Sequence, residues 1–153
     1  VAEEKDSGEL LRRRWELTAE FELVTNALWT DPGDQSGWLY HRWLVGTSEY
    51  MRHYQHLHPS DPAPAVLERE LANITELNDA EPDSKWCMNS LAHYLLLSAR
   101  LESTAPAEAT KRREQAKTLL ERLAVIDEDR KERYRELGRL ARTTRTDIAA
   151  SQQ

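Results

Sequence analysis

The residues of this chain best suited to chemistry are its histidines, its one cysteine and two short basic runs. His41 and Arg42 stand together beside Trp43. Imidazole titrates near neutrality and guanidinium binds phosphate oxygens through paired hydrogen bonds, so the pair could meet an anionic group or a partner surface. A polar contact between packed helices explains them equally well. His53, His56 and His58 form a second cluster. Imidazole is a common metal ligand, yet no nearby cysteine or carboxylate completes an obvious tetrahedral set, and exposed loop histidines bind metals adventitiously. Cys87 has no Cys-x-x-Cys partner and adjoins Trp86, which favours buried packing over nucleophilic use. Arg12-Arg13-Arg14 and Lys111-Arg112-Arg113 could dock an acidic partner. Glu9, Glu16, Glu108 and Glu114 lie close enough to neutralise them, so solvated helix faces are expected. No glycine-rich phosphate loop and no Ser-His-Asp arrangement stands out, and no catalytic residue is assigned.

Composition narrows the function classes further. The 153 residues are 39% hydrophobic, enough for a buried core. The 27 acidic residues against 21 basic ones give a net charge of −6, the wrong sign for bulk nucleic-acid binding. No apolar stretch approaches the roughly 20 residues that span a bilayer. One cysteine excludes an intramolecular disulfide, and with no secretory leader at Val1 a reducing, cytoplasmic setting is expected. The absence of an initiating methionine suggests a piece of a longer protein.

The elements that would position these residues are helices. Leu10, Leu17, Phe21, Val24 and Leu28 recur at helical spacing, with Asp6 and Glu9 as an expected capping pair and Asp31-Pro32-Gly33 as the stop. A second helix starts near Asp34 and carries Trp38, Leu39, Trp43 and Leu44 to Gly46. Residues 47–65, rich in His, Pro and Tyr, read as a short helix and an irregular linker. A third helix presents Leu67, Leu71, Ile74 and Leu77, and a fourth, from near Asp83, presents Trp86, Leu91, Tyr94, Leu95 and Leu101. The fifth enters through Pro106 and carries Ala116, Leu119, Leu120, Leu123 and Ile126. The sixth, from near Asp129, carries Tyr134, Leu137, Leu140 and Ala141.

These helices pair into three hairpins, at about 7–46, 64–101 and 106–145, in one helical-repeat domain spanning 1–153. Short amphipathic helices cannot bury both faces alone, and stacked hairpins solve that problem. Trp38, Trp86 and Tyr134 are evenly spaced along the chain, each early in the second helix of its pair. The turn before Trp86 is shorter, so the equal spacing is partly loop compensation. In each turn an Asp would cap the outgoing helix while the aromatic packs between neighbouring hairpins. The expected fold class is all-α, a TPR-like α–α superhelix.

Three segments carry a resemblance. Asn26-Ala27-Leu28-Trp29-Thr30-Asp31-Pro32-Gly33-Asp34-Gln35-Ser36-Gly37-Trp38-Leu39-Tyr40-His41-Arg42-Trp43-Leu44-Val45-Gly46 resembles the prenyltransferase alpha-subunit repeat in the form found in Rab geranylgeranyltransferases. Glu76-Leu77-Asn78-Asp79-Ala80-Glu81-Pro82-Asp83-Ser84-Lys85-Trp86-Cys87 is similar to the family's segment around a Glu-Pro-acid-x-Lys-Trp-Cys core. Leu123-Ala124-Val125-Ile126-Asp127, followed by Tyr134, is a weaker match to its last hairpin. Together they run from about residue 8 to about residue 145. Two departures from the mammalian pattern stand out. Thr47 to Ala65 occupies the place of an inserted immunoglobulin-like domain, and no leucine-rich domain follows the helices.

The resemblance implies the C-terminal helical repeats of an alpha subunit. Its role would be to support geranylgeranyl transfer from geranylgeranyl diphosphate to C-terminal cysteines of Rab GTPases presented by an escort protein. It implies a beta-subunit partner carrying the zinc that holds the substrate thiolate, with no cofactor in this chain. Trp38, Tyr40, His41, Arg42, Trp43 and Trp86 become repeat-motif residues and interface candidates. The isolated fragment would expose apolar surface and self-associate. The alternative is a free-standing TPR-like interaction module without a beta partner.

Overall fold

A computed structural model describes residues 2–46, 64–101 and 104–141. Every regular element among them is helical: α1 (Ala2–Thr30), α2 (Gln35–Gly46), α3 (Pro64–Ala80), α4 (Lys85–Ala99), α5 (Pro106–Ile126) and α6 (Lys131–Leu140). A 3-10 turn at Glu128–Arg130 precedes α6. The chain divides into two compact units, Val1–Ala63 and Pro64–Gln153.

In the first unit α1 pairs with α2. Phe21, Val24 and Leu28 of α1 are buried, as are Trp38, His41 and Leu44 of α2. These positions recur at helical spacing and form one seam. The seam is confined to the C-terminal half of α1 because α2, with 12 residues against 29, is only about 18 Å long at 1.5 Å per residue. Beyond its reach Trp15 is 76% exposed. Gly37 sits where a Cβ would lie 3.2 Å from Leu28 Cδ2, so the missing side chain allows the two helices to close.

The second unit stacks two hairpins. Helix α4 packs on α3 to one side and α5 to the other, and α6 closes on α5. Helix α4 is therefore buried almost all round, with Cys87, Met88, Ser90, Leu91, Ala92, Tyr94, Leu95, Leu96, Ser98 and Ala99 out of solvent. Leu67, Leu71, Ile74 and Leu77 of α3 face it, as expected from their spacing, and Ala109, Ala116, Leu120 and Leu123 of α5 complete the core.

The three turns close with the same two backbone hydrogen bonds, although the third has no side-chain cap. The N–H groups of Asp31, Glu81 and Asp127 donate to the carbonyls of Ala27, Leu77 and Leu123 at 2.8–3.0 Å. Those of Asp34, Ser84 and Arg130 donate to the carbonyls of Asp31, Glu81 and Asp127 at 3.1–3.2 Å. The step from Asp31 to Glu81 is thus longer than the step from Glu81 to Asp127. This corrects the even spacing read from the aromatic residues. In the true register Trp38 corresponds to Met88 and Tyr134, all three buried, while Trp86 stands outside it and is only half-buried. A longer first step and a shorter second one leave Tyr134 where two equal steps would put it, which is why the sequence spacing looks regular.

Other boundaries shift for local reasons. Helix α1 already runs at Asp6 and Glu9, which lie inside it rather than at its start. Asp34 does cap α2, accepting from the Ser36 N–H at 3.0 Å. At the second turn the cap is Ser84, whose hydroxyl accepts from the Cys87 N–H, and not Asp83. Asp83 instead pairs with Arg122. Helix α5 begins with Pro106 at a position where the missing N–H costs nothing. Leu39, Trp43, Ile126 and Leu140, counted among the apolar stripes, are exposed, and Leu101 lies beyond the end of α4.

Candidate interaction site

The first turn and α2 place five of the six candidate residues. Trp38 is buried, and its indole Nε1–H donates to the Pro32 carbonyl at 2.9 Å, which ties the start of α2 to the turn before it. His41, one helical turn on, is fully buried. Its ring meets Phe21 edge-on at 6.0 Å and Trp38 at 6.4 Å. Both side chains sit within the hairpin core. Arg42 is half-buried, one residue along from His41.

Tyr40 and Trp43 lie on the other side of α2. They are 41% and 60% exposed, and their rings stack at 5.7 Å with 20° between planes. The Tyr40 hydroxyl donates to Glu20 Oε2 on α1 at 2.6 Å, which holds the Tyr40 proton and raises its pKa above the usual tyrosine value. Leu39, 58% exposed, is one turn before Trp43. The helix thus presents a fixed aromatic pair to solvent beside a carboxylate. Sequence alone does not reveal Glu20, because it is distant from Tyr40 along the chain and faces it only once the hairpin closes.

Trp86 belongs to the second unit. The ammonium of Lys85 and the guanidinium of Arg130 each lie 5.3 Å from its ring centre, at cation–π range. Arg130 also pairs with Asp127 at 3.1 Å, and Asp127 Oδ2 accepts from the Tyr134 hydroxyl at 2.6 Å. Trp86 of α4 therefore joins the second hairpin to the turn of the third. Tyr134's hydrogen bond, followed by Arg130, holds Asp127 below the usual carboxylate range. Burial, with Asp127's hydrogen bond second, pushes Tyr134 up to about 12.

The second basic run is not a wholly solvated face. Arg112 is largely buried and reaches three helices: it donates to Glu68 of α3 at 2.7 Å, to the Ser98 hydroxyl of α4 and to Glu108 one turn back at 3.2 Å. Its guanidinium lowers the pKa of Glu68, and Glu68 in turn raises that of Arg112. Sequence distance hides this hub, since Glu68 is 44 residues from Arg112. Cys87 is buried against the Ile74 carbonyl, and burial, with Glu81's charge second, pushes its thiol up to about 12. That suits packing. Its thiolate would be vanishingly scarce near neutrality. His53, His56 and His58 lie outside the described residues. Among those described, no group of three His, Cys, Asp or Glu side chains is placed to hold a metal. No described helix is long and apolar enough to cross a membrane.

Residues 17–48, which hold the second half of α1, the turn and all of α2, match the protein prenyltransferase alpha subunit repeat. Over 132 residues, 79% of this chain, the sequence is 33% identical to geranylgeranyl transferase type-2 subunit alpha of Schizosaccharomyces pombe, covering 35% of that protein. The protein of the same name from Dictyostelium discoideum is 32% identical over 133 residues, 87% of this chain and 36% of the relative. Over most of its length the chain is thus similar to prenyltransferase alpha subunits. The human relative, also named geranylgeranyl transferase type-2 subunit alpha, is 52% identical over 44 residues, 29% of this chain and 8% of its own. No solved structure matches. The chain spans about a third of the length of the curated relatives it matches over most of its sequence. Within the family repeat, the structure separates residues that build the hairpin, Trp38 and His41, from those it leaves in solvent, Tyr40 and Trp43.

Proposed function

We propose that this chain is scaffold of the alpha subunit of a heterodimeric Rab geranylgeranyltransferase, supporting transfer of geranylgeranyl from its diphosphate to C-terminal cysteines of Rab GTPases. In this reading it contributes packed hairpins and partner surface, and a beta subunit contributes the zinc and the reacting groups. The escort protein and the Rab GTPase are further partners of the whole enzyme, in the cytoplasm. The observation that carries the reading is the first hairpin, where the family repeat at 17–48 coincides with a turn and helix whose buried and exposed residues divide cleanly. The chemistry of the described residues supports a scaffold role. His41 is enclosed by Phe21 and Trp38, and Cys87 is a buried, poorly ionised thiol.

The test is co-expression of the full-length alpha chain with its beta chain, followed by transfer of labelled geranylgeranyl to a Rab–escort complex. A stable pair with activity, and no transfer by residues 1–153 alone when supplied with lipid diphosphate and zinc, is the expected result. Failure of the two chains to associate would sink the proposal and leave the free-standing interaction module. Transfer by the 153-residue chain alone would overturn its non-catalytic role.

A further inference from the structure

The stacked rings of Tyr40 and Trp43, set beside Glu20, are left open to solvent by the hairpin that displays them. We propose that this platform binds a cationic side chain, arginine or lysine, on the surface of a protein partner. The proposal rests on the scaffold reading for the existence of a partner and adds the chemistry of the contact.

Three observations carry it. First, the pair is held in place without being buried: Tyr40 is fixed by its hydrogen bond to Glu20, and Trp43 by the stack, while both stay open to solvent. Aromatic faces held in this way lose little entropy on binding and attract cations through their negative π faces. Second, the register of the repeat does not call for aromatics here. The positions equivalent to Leu39, Tyr40 and Trp43 are Asn89, Ser90 and His93 in α4 and Arg135, Glu136 and Arg139 in α6. The three hairpin turns close alike with these differences in place, so the platform is an addition to the scaffold rather than part of it. Third, the charge matches. Residues 1–46 carry nine acidic side chains and five lysines or arginines. Glu20 places a carboxylate beside the platform, where it can complement an arriving cation. Arg42, which carries the one guanidinium of α2, is two residues from Tyr40 and so lies on a different face of the helix.

Two measurements on the 153-residue chain decide it. The first follows the five tryptophan indole N–H signals by NMR, with Trp43 assigned from its loss in Trp43→Phe, during titration with arginine amide or its uncharged isostere citrulline amide. The expected result is a saturable shift of the Trp43 signal with arginine amide alone. Glu20→Gln should weaken it about two- to five-fold, the factor carried by an exposed cation–π contact or ion pair. Equal responses to both amides, or none at Trp43, would overturn the proposal. The second measures maleimide labelling of Trp43→Cys, with buried Cys87 as an internal slow-reacting reference. Fast labelling is expected. Protection close to that of Cys87 would mean that the chain covers its own platform, and the proposal falls. Neither measurement involves the beta subunit. A platform that fails here while alpha and beta still co-purify removes only this inference, and a platform that binds arginine while the subunits fail to pair removes only the enzyme assignment.

Discussion

The hairpin of α1 and α2 and the stacked pair from α3 to α6 are built on the same turn, yet they spend their polar and aromatic residues differently. In the stacked pair the distinctive side chains are turned inward or between helices: Arg112 spans three helices, Tyr134 and Asp127 lock the last turn, and Cys87 packs against Ile74. In the first hairpin, beyond Trp38 and His41, they face outward: Trp15, Leu39, Tyr40 and Trp43 are exposed. A hairpin stacked on another must satisfy its polar groups across the joint, because an unpaired buried group costs more than a paired one gains. Where the chain leaves a face open, no such demand operates, and what stands there answers to something else.

That contrast puts the largest stability losses in the stacked pair. Leu77 is fully buried at the α3–α4 joint, so Leu77→Ala should cost about 3 kcal/mol from lost burial and an unfilled cavity. Urea unfolding monitored by circular dichroism measures it. A loss under about 1 kcal/mol, well below the usual range for a buried leucine, would mean that the joint collapses around the change and is less tightly packed than the burial pattern says.

Arg112→Met comes next. It keeps the aliphatic stem but removes the charge, leaving the Ser98 hydroxyl buried and Glu68 unpaired. Glu68 is half exposed, which screens part of the penalty, so about 2 kcal/mol is expected rather than the roughly 3–5 kcal/mol of a fully buried pair. The same denaturation, run with Arg12→Met as the first-hairpin counterpart, sharpens the comparison. Arg12 pairs with Glu16 at 3.8 Å with both side chains about two-thirds exposed, and its loss should be near zero.

The hydrogen bond between Tyr134 and Asp127 should be legible in pH. Asp127's folded pKa is depressed, so its contribution is present above the unfolded value, about 3.9, and is lost as pH falls through the lower folded value. Tyr134's folded pKa is raised to about 12, so its contribution is full below the unfolded value and lost as pH rises toward 12. Tyr134→Phe should cost about 1 kcal/mol on the plateau between these limits. It should also flatten both limbs of the stability profile, the acid one only in part because Arg130 still faces Asp127. A profile with unchanged limbs would show that the bond does not couple the third turn to folding.

Much of this is written in local pattern, and the rest depends on contacts that local pattern does not encode. Helix periodicity and proline placement locate the six helices among the described residues, and Leu67, Leu71, Ile74 and Leu77 fall where their spacing puts them. The family segment marks the hairpin that bears the candidate site. The failures share one cause. Trp86 matches its neighbours by count but not by register: the shorter turn before it is visible in the sequence, but the turn hydrogen bonds are what show that one step is longer and the next shorter. Arg112 looks like one cation in a solvated run because its partners come from helices distant in sequence. Leu39 and Trp43 have core-like side chains on the open side of α2, and hydrophobicity alone cannot say which side of a helix a partner covers.

The smallest effect is the one that bears most on the comparison. Trp43→Ala removes the largest exposed side chain of α2, and in a stacked joint the same truncation would cost about 3–5 kcal/mol. Here the stability change should stay within about 0.5 kcal/mol, as for other surface sites that support no buried neighbour. Tyr40→Phe should likewise be close to neutral, since its bond to Glu20 is formed in water. Thermal unfolding of the two variants against the unaltered chain resolves effects of this size. A loss for Trp43→Ala several times larger than a surface site allows would erase the distinction between the two regions, because it would make the aromatic face part of what holds the chain folded. A null change with intact helicity instead leaves a large, ordered, exposed indole that folding does not need, and the energy that Trp43 can contribute is then available only to whatever binds it.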